Sequence, residues 1–511
     1  MKHELLITLD RERAVPLNRQ IYEQIRTAIH SGALSGGDPL PPTRMLAKQL
    51  SLSRSVVLQA YELLQAEGYL EMRKGAGTFV TGLWPEYGLS GDGPDSDMEM
   101  TAQEDRQLHL KKELDLSLLT PDPIMDNAIP SAVFCDFRHG VPAWDVFPMD
   151  SWQKALMNAC RSATPQTLGY GPAEGSISLR QEIARLLRST RSIPVTAEQI
   201  VITSGATQAL DILARLCLSK GDGVIMEDPT HHTVREIFRF SGAEIIPVTV
   251  DEEGITVEDF DKRVLQAAET GQGKVPKLIY VTPSHQFPLG TTMSLSRRIQ
   301  LLKWAKSHDA LIIEDDYDSE YRYDGPKLSA LAGLDSSSRV AYIGSFSKIL
   351  FPALRIGYII LPPSMIPGFL AVKWLADRMS PALDQEALAE FLKSGQYARH
   401  VARMNKLYAG RRSCLLHSLR KEFGPRVRTF GEEAGLHVLV ELDSPANEND
   451  IAAAALRYGV RIYPASSYFV GSKPQKPVFL LGYSNLTESQ LESGVQAIRR
   501  AEADAKTMSL N

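Results

Sequence analysis

The feature that most limits what this chain can fold into is a break in charge. Residues 81–130 carry 3 Lys or Arg against 11 Asp or Glu, whereas residues 1–80 carry 10 against 8. The same stretch is rich in Gly, Pro and Ser around Gly91-Asp-Gly-Pro-Asp-Ser-Asp97. Such a composition buries too little apolar surface to offset the entropy of ordering, so it reads as a linker. The chain is therefore expected to divide into residues 12–80, an acidic linker over 81–130 and a larger part over 131–505. At 511 residues, 43% apolar and 23% charged, it has the composition of a soluble globular protein with more than one core. Cys135, Cys160, Cys217 and Cys414 lie far apart with no Cys-x-x-Cys pair, which argues against a zinc ribbon or a disulfide framework. No metal site is expected, and a reduced, cytoplasmic compartment fits. No apolar run is long enough to span a bilayer, and the N-terminal one is too short for a signal peptide.

In the first part, Leu17, Ile21, Ile25 and Ile29 repeat every four residues, so Pro16 to Ile29 is expected to form an amphipathic helix. A short helix follows over Pro41 to Leu50, with Thr43 expected as its N-cap. After the turn Ser51-Leu-Ser53, the stretch Arg54 to Gly68 reads as a second helix, turning Val57, Tyr61 and Leu64 inward. Tyr69 to Val80 reads as a hairpin with glycines at its tip. Helix, short turn, helix and two-stranded wing is the order of a winged helix-turn-helix.

Over residues 12–80 the chain resembles the GntR family of bacterial regulators. The resemblance rests on Leu40-Pro-Pro-Thr-Arg44, Leu52-Ser-Arg54, Ala60-Tyr61, Ala66-Glu-Gly-Tyr-Leu70 and Arg73-Lys-Gly-Ala-Gly-Thr-Phe-Val80. It implies that Arg44, Arg54 and the adjoining Ser53 and Ser55 meet double-stranded DNA, with Arg73, Lys74 and Gly75 of the wing beside them. Arginine suits both tasks there, gripping phosphate or pairing with guanine.

In the second part, short apolar runs alternate with helical stretches: Ile200 to Thr203, Val224 to Pro229, Lys277 to Val281 and Leu311 to Asp315. That alternation predicts an α/β fold on a mostly parallel sheet. Ile200 to Thr203 runs through Ser204-Gly-Ala-Thr207 into a helix, which presents free backbone N–H groups to an anion. Glu314, Asp315, Asp316, Asp318 and Glu320 crowd a strand end, and Asp315 and Tyr317 are spaced to share a strand face. Lys348 follows the apolar run Val340 to Ile343 in Ser345-Phe-Ser-Lys348, and Arg355 lies seven residues on. The 33 residues between Asp315 and Lys348 leave room for a helix and another strand. A lysine in a setting that favours its neutral form is a nucleophile toward carbonyls, including pyridoxal phosphate (PLP).

Over roughly residues 135–505 the chain resembles the fold-type I PLP proteins, the aspartate aminotransferase superfamily. Tyr170-Gly-Pro-Ala-Glu-Gly175, Ser204-Gly-Ala-Thr207, Asp228-Pro229, Pro288-Leu-Gly290, Asp315-x-Tyr317, Ser345-x-Ser-Lys348 and Leu354-Arg-Ile-Gly357 carry it. The resemblance implies PLP as cofactor, linked to Lys348 as an internal aldimine, with Asp315 on the pyridine nitrogen and Tyr317 on the phenolate oxygen. It places Ala206, Thr207, Ser345 and Arg355 at the phosphate and His231 against the ring. Tyr170 would reach the neighbouring site of a homodimer. Three positions depart from the pattern. His231 stands where an aromatic ring is usual, Phe287-Pro-Leu-Gly290 replaces Asn-Pro-x-Gly, and Leu480 stands where an arginine grips a substrate carboxylate. Arg461 is the nearby candidate for that grip.

Both halves together, with His285-Gln-Phe-Pro-Leu-Gly290 and Glu314-Asp-Asp-Tyr-Asp-Ser-Glu320, resemble the MocR/GabR regulators. The resemblance implies a PLP-dependent transcription regulator that senses PLP or an amine or amino-acid effector. It implies no steady turnover, only a residual transaminase half-reaction. The alternative is a working aminotransferase with an appended DNA-binding domain.

Overall fold

A computed structural model describes residues 7–11, 15–73, 75–82, 132–269, 275–325, 329–471 and 473–509. The expected linker (save residues 81 and 82) and Lys74 lie outside the described residues. Contacts divide the chain into two units, Met1–Leu110 and Lys111–Asn511.

In the first unit, helices α1 (Leu17–His30), α2 (Thr43–Gln49) and α3 (Arg54–Ala66) precede strands β1 (Leu70–Arg73) and β2 (Gly77–Val80). Ile21, Ile25 and Ile29 of α1 bury one face against Leu46, Val57, Tyr61 and Leu64, so the i+4 pattern becomes a core. Thr43 does not cap α2. It is the helix's first residue, and Pro42 holds the N-cap position with no side-chain hydrogen bond. Proline fixes the extended entry there without a hydroxyl. Gly68, at φ +79°, ends α3 in a conformation that side chains disfavour. The wing strands pair antiparallel, Leu70 opposite Val80.

In the second unit the strands are β3 (Cys135–Asp136), β4 (Ile200–Thr203), β5 (Gly223–Asp228), β6 (Glu244–Asp251), β7 (Gly254–Ile255), β8 (Pro276–Val281), β9 (Leu311–Asp316), β10 (Val340–Ser345), β11 (Gly357–Ile360), β12 (Val427–Phe430), β13 (His437–Leu442), β14 (Val460–Arg461), β15 (Tyr463–Pro464) and β16 (Val478–Gly482). Eight of them form one sheet in the order β4-β11-β10-β9-β8-β5-β6-β7. The central pairs from β10 to β6 are parallel; β11 runs antiparallel to both β10 and β4, and β7 to β6. A four-stranded sheet, β12-β13-β16-β15, lies later in the chain. The central strands are buried on both faces, which is why they read as unbroken apolar runs.

The connection from β9 to β10 holds a surprise. Among the described residues no helix fills the room between β9 and β10, and the chain runs in turns and bends. The Glu314 carboxylate pins this loop by accepting the backbone N–H groups of Leu331 (2.8 Å) and Ala332 (2.7 Å). Buried side-chain oxygens thus satisfy backbone donors that a helix would have satisfied internally. Among the described residues, no helix is long and apolar enough to cross a membrane.

Candidate functional site

The ends of β4, β9 and β10 converge on one cavity of about 260 Å³. Beyond β4 the chain turns at Gly205 (φ +105°) into the helix Ala206–Cys217, and Ala206 and Thr207 open that helix at the cavity wall. A Cβ on Gly205 would come within 3.1 Å of Arg355 Nη2, so the glycine lets the guanidinium lie against the turn. Arg355, itself left-handed at φ 51°, donates from Nη2 to the Ser204 carbonyl at 2.5 Å. Ser345 and Ser347 line the same end. Helix-terminal N–H groups, a guanidinium and hydroxyls together make a cup suited to a phosphate.

Asp315 and Tyr317 line the cavity from β9 and the residue just past it, so the two-residue spacing does turn both the same way. Tyr317 lies outside the strand and donates its hydroxyl to the His285 carbonyl at 3.0 Å. Tyr280 of β8 donates to Asp315 Oδ2 at 2.8 Å. Burial pushes the Asp315 carboxyl up to about 6, against that hydrogen bond, which pulls it down. A buried carboxylate with one neutral donor is a place prepared for a cation.

Lys348 leaves β10 toward the same space, beside Gly140. A Cβ on Gly140 would lie 2.5 Å from Lys348 Nζ, so the amine occupies room that any other residue would take. His231 lines the cavity too, its ring 4.8 Å from that of Phe287.

The acidic run is not a solvated loop. Arg191 Nε meets Asp316 Oδ2 at 2.9 Å, with Tyr342 donating to the same oxygen at 2.5 Å. Asp318 Oδ2 meets His285 Nδ1 at 3.0 Å, and Tyr397 donates to Glu320 at 3.1 Å. Glu314 and Asp316 face away from the cavity and hold structure, while Asp315 between them faces in.

Two expected residues lie elsewhere. Tyr170 is 80% exposed and does not line the cavity; the Arg378 guanidinium stands 5.6 Å over its ring. Arg461 also does not line it. It sits in β14 opposite Asp136 of β3, its guanidinium 5.6 Å from the Tyr463 ring centroid. Leu480 is fully buried in an apolar cluster with Phe287 and Tyr468.

Sequence reading missed His139, Gly140, Tyr280 and His437 as lining residues. Tyr280 was findable in principle. It pairs in register with Ile313, two residues before Asp315, and so shares that residue's face. The two histidines arrive from β13 and from the stretch after β3, far apart in the chain.

In the first unit, Arg44, Ser53, Arg54, Ser55, Arg73 and Gly75 are all exposed. Arg54 opens α3, and its Nε lies 3.4 Å from Thr43 Oγ1 of α2. Arg73 is paired with Glu71 at 2.6 Å and lies 4.7 Å from the Phe79 ring centroid.

Residues 139–498 match the family model for aminotransferase class I and II, and residues 17–80 match that for bacterial regulatory proteins of the gntR family. The chain is 35% identical to the probable rhizopine catabolism regulatory protein MocR of Rhizobium meliloti, over 97% of this chain and 96% of the relative. It is 31% identical to the pyridoxine biosynthesis transcriptional regulator PdxR of Corynebacterium glutamicum, over 96% of this chain and 97% of the relative. Among solved structures, the multiple substrate aminotransferase of Thermococcus profundus superposes with a TM-score of 0.68 at 28% identity. The match covers 74% of this chain and 93% of that one.

Proposed function

This chain belongs to the GntR-type bacterial transcriptional regulators that carry an aminotransferase class I and II domain, and from that premise we propose that its cavity binds PLP and reports an amine, or PLP itself, to the DNA-binding unit. The observation that carries this reading is the convergence of Lys348, Asp315 and Arg355 on one cavity. Every candidate for cofactor binding except Tyr170 lines it.

PLP, when bound, supplies an electrophilic carbon that a primary amine can capture. The chain's own groups do the rest. Ala206 and Thr207 offer N–H groups to the phosphate, and Arg355 and Ser345 offer charge and a hydroxyl. Asp315 would hold the ring nitrogen protonated, and Tyr317 would turn its hydroxyl from the His285 carbonyl to the phenolate oxygen. His231 would pack on the ring, and Lys348 would be the amine that anchors it. Burial excludes water around Asp315, which makes its charge count for more than it would in solvent.

A homodimer is part of the proposal. Tyr170, Leu168, Trp374 and Leu375 are large and exposed, and Arg378 reaches both the Tyr170 and Trp374 rings. A second copy covering that surface removes it from water and brings Tyr170 to the other cavity. In the first unit, Arg44 and Arg54 at the starts of α2 and α3 meet the phosphates and bases of an operator. A reduced, cytoplasmic location follows from that partner.

The test is an absorbance titration of the full chain with PLP, followed by operator binding with and without cofactor. A visible band that Lys348→Ala abolishes, together with an operator affinity that responds to PLP or an amine in the wild type alone, is expected. An operator response that survives in Lys348→Ala would refute the mechanism.

A further inference from the structure

Two buried imidazoles form part of the cavity wall. His139 and His437 line it, 5% and 2% exposed, with ring centroids 6.0 Å apart in an edge-on arrangement. Neither ring nitrogen of His139 has a hydrogen-bond partner among the described residues, and neither has His437 Nε2. Unpartnered buried nitrogens are costly, so a wall that keeps three of them is built for something that binds there. His139 immediately precedes Gly140, the residue against Lys348 Nζ, so this wall faces the amine position.

The charge of the wall narrows the ligand. Burial holds both imidazoles neutral, well below their ordinary range, and neighbouring His and Lys348 charges push the same way. In a neutral imidazole one ring nitrogen donates and the other accepts, so His437 Nε2, unpartnered among the described residues, is open to a hydrogen-bonding ligand. His139 keeps one donor and one acceptor. The cations lining the cavity are Lys348 and Arg355, and Arg355 is committed to the Ser204 end. A carboxylate set between two neutral rings has no opposite charge to pair with. A hydroxyl does better: it donates to one ring and accepts from the other. The 6.0 Å between the ring centroids leaves room for one hydroxyl between the two imidazoles.

Resting on the cavity's role as the effector pocket, we propose that the effector is a primary amine bearing an uncharged hydroxyl, an amino alcohol, held by His139 and His437. The chain thereby differs in ligand class from an amino-acid aminotransferase, and Leu480, buried where a carboxylate-gripping arginine is usual, agrees with it.

The experiment loads the full-length protein with PLP, confirms loading by its absorbance band, and titrates ethanolamine, propanolamine, propylamine, β-alanine, L-alanine and putrescine. The amino alcohols should perturb the band at concentrations about tenfold lower than propylamine, the difference expected of one well-made buried hydrogen bond or more. His437→Leu should bring the amino-alcohol midpoint to that of propylamine measured on the same variant, and His437→Gln should retain most of the difference. Preference for an amino acid or for the diamine overturns the inference and leaves the PLP site standing. Equal loss of the propylamine and amino-alcohol responses in His437→Leu also overturns it, since that marks a packing role. An unperturbed band for every amine overturns it too, leaving PLP as the signal. Absence of any band refutes the cofactor reading itself.

Discussion

Gly140→Ala separates what the backbone needs from what Lys348 needs. Gly140 has φ +67°, where an alanine costs roughly 1–2 kcal/mol. That part acts on stability and should lower the Tm by no more than a few degrees. The second effect is local. The new Cβ would sit 2.5 Å from Lys348 Nζ, and ordinary contact demands a retreat of about 1 Å. The obstacle is the end of a flexible side chain, so the fold absorbs the methyl cheaply while the amine loses its place. Displacement on that scale should weaken PLP binding at least tenfold, about 1.4 kcal/mol. The assay is an absorbance titration with PLP beside a thermal melt of the protein without cofactor. Gly221→Ala is the control, since Gly221 shares the left-handed backbone (φ +81°) with nothing within 4 Å of its Cβ position. It should reproduce the melt and not the binding defect. Wild-type PLP affinity in Gly140→Ala would show that the Lys348 amine does not depend on the space the glycine leaves.

Three further outcomes are expected. Arg54→Ala should weaken operator binding and reduce the slope of log affinity against log salt by about one, with PLP affinity untouched; an unchanged slope would remove Arg54 from the phosphate contacts. Asp315, pushed up to about 6, is a carboxylate above that pH and a neutral acid below it, so PLP affinity that depends on its charge is full above pH 6 and lost as pH falls through it. Asp315→Asn should bind PLP weakly and without that step, and a variant that keeps the step would show another group responsible. Arg191→Met leaves Asp316 buried and unpaired, and should cost roughly 3–5 kcal/mol in chemical denaturation; the double change with Asp316→Leu should recover part of it, and additive losses would argue that the pair is not coupled.

How much was legible follows from which contacts are local. The winged unit was readable because α1 and α3 each bury a face whose spacing is written in ten or so residues. Lys348, Asp315 and the Ser204–Thr207 turn were readable because each sits at or just past the end of a strand, where apolar gives way to polar, and Arg355 because it stands in Leu354-Arg-Ile-Gly357, a motif the family resemblance carries. Among the described residues, the room for a helix between Asp315 and Lys348 goes unused for a different reason. Length alone allowed it, whereas the loop is held by Glu314 reaching back to Leu331 and Ala332, a contact no periodicity encodes. The partners of the acidic run were not legible either: Arg191, His285, Tyr342 and Tyr397 arrive from elsewhere in the chain to meet it. His139 and His437 stand nearly 300 residues apart in the chain and meet only because the stretch after β3 and the start of β13 reach the same cavity.

A sensor and an enzyme ask different things of such a cavity. Turnover needs a transition state favoured over the bound ligand, whereas a switch needs one conformation favoured over another by the ligand itself. Moving a two-state equilibrium from 1:99 to 99:1 takes a differential affinity of about 5.5 kcal/mol. One buried hydrogen bond supplies about 1 kcal/mol net, so no single contact here accomplishes that. The differential has to be assembled from the phosphate cup, the Asp315 charge and the histidine wall acting on one ligand. Those three are carried by the turn after β4, by β9 and by β13, elements of two different sheets. On the proposed reading, a ligand that spans all three ties the two sheets together, and that is the change the DNA-binding unit would follow.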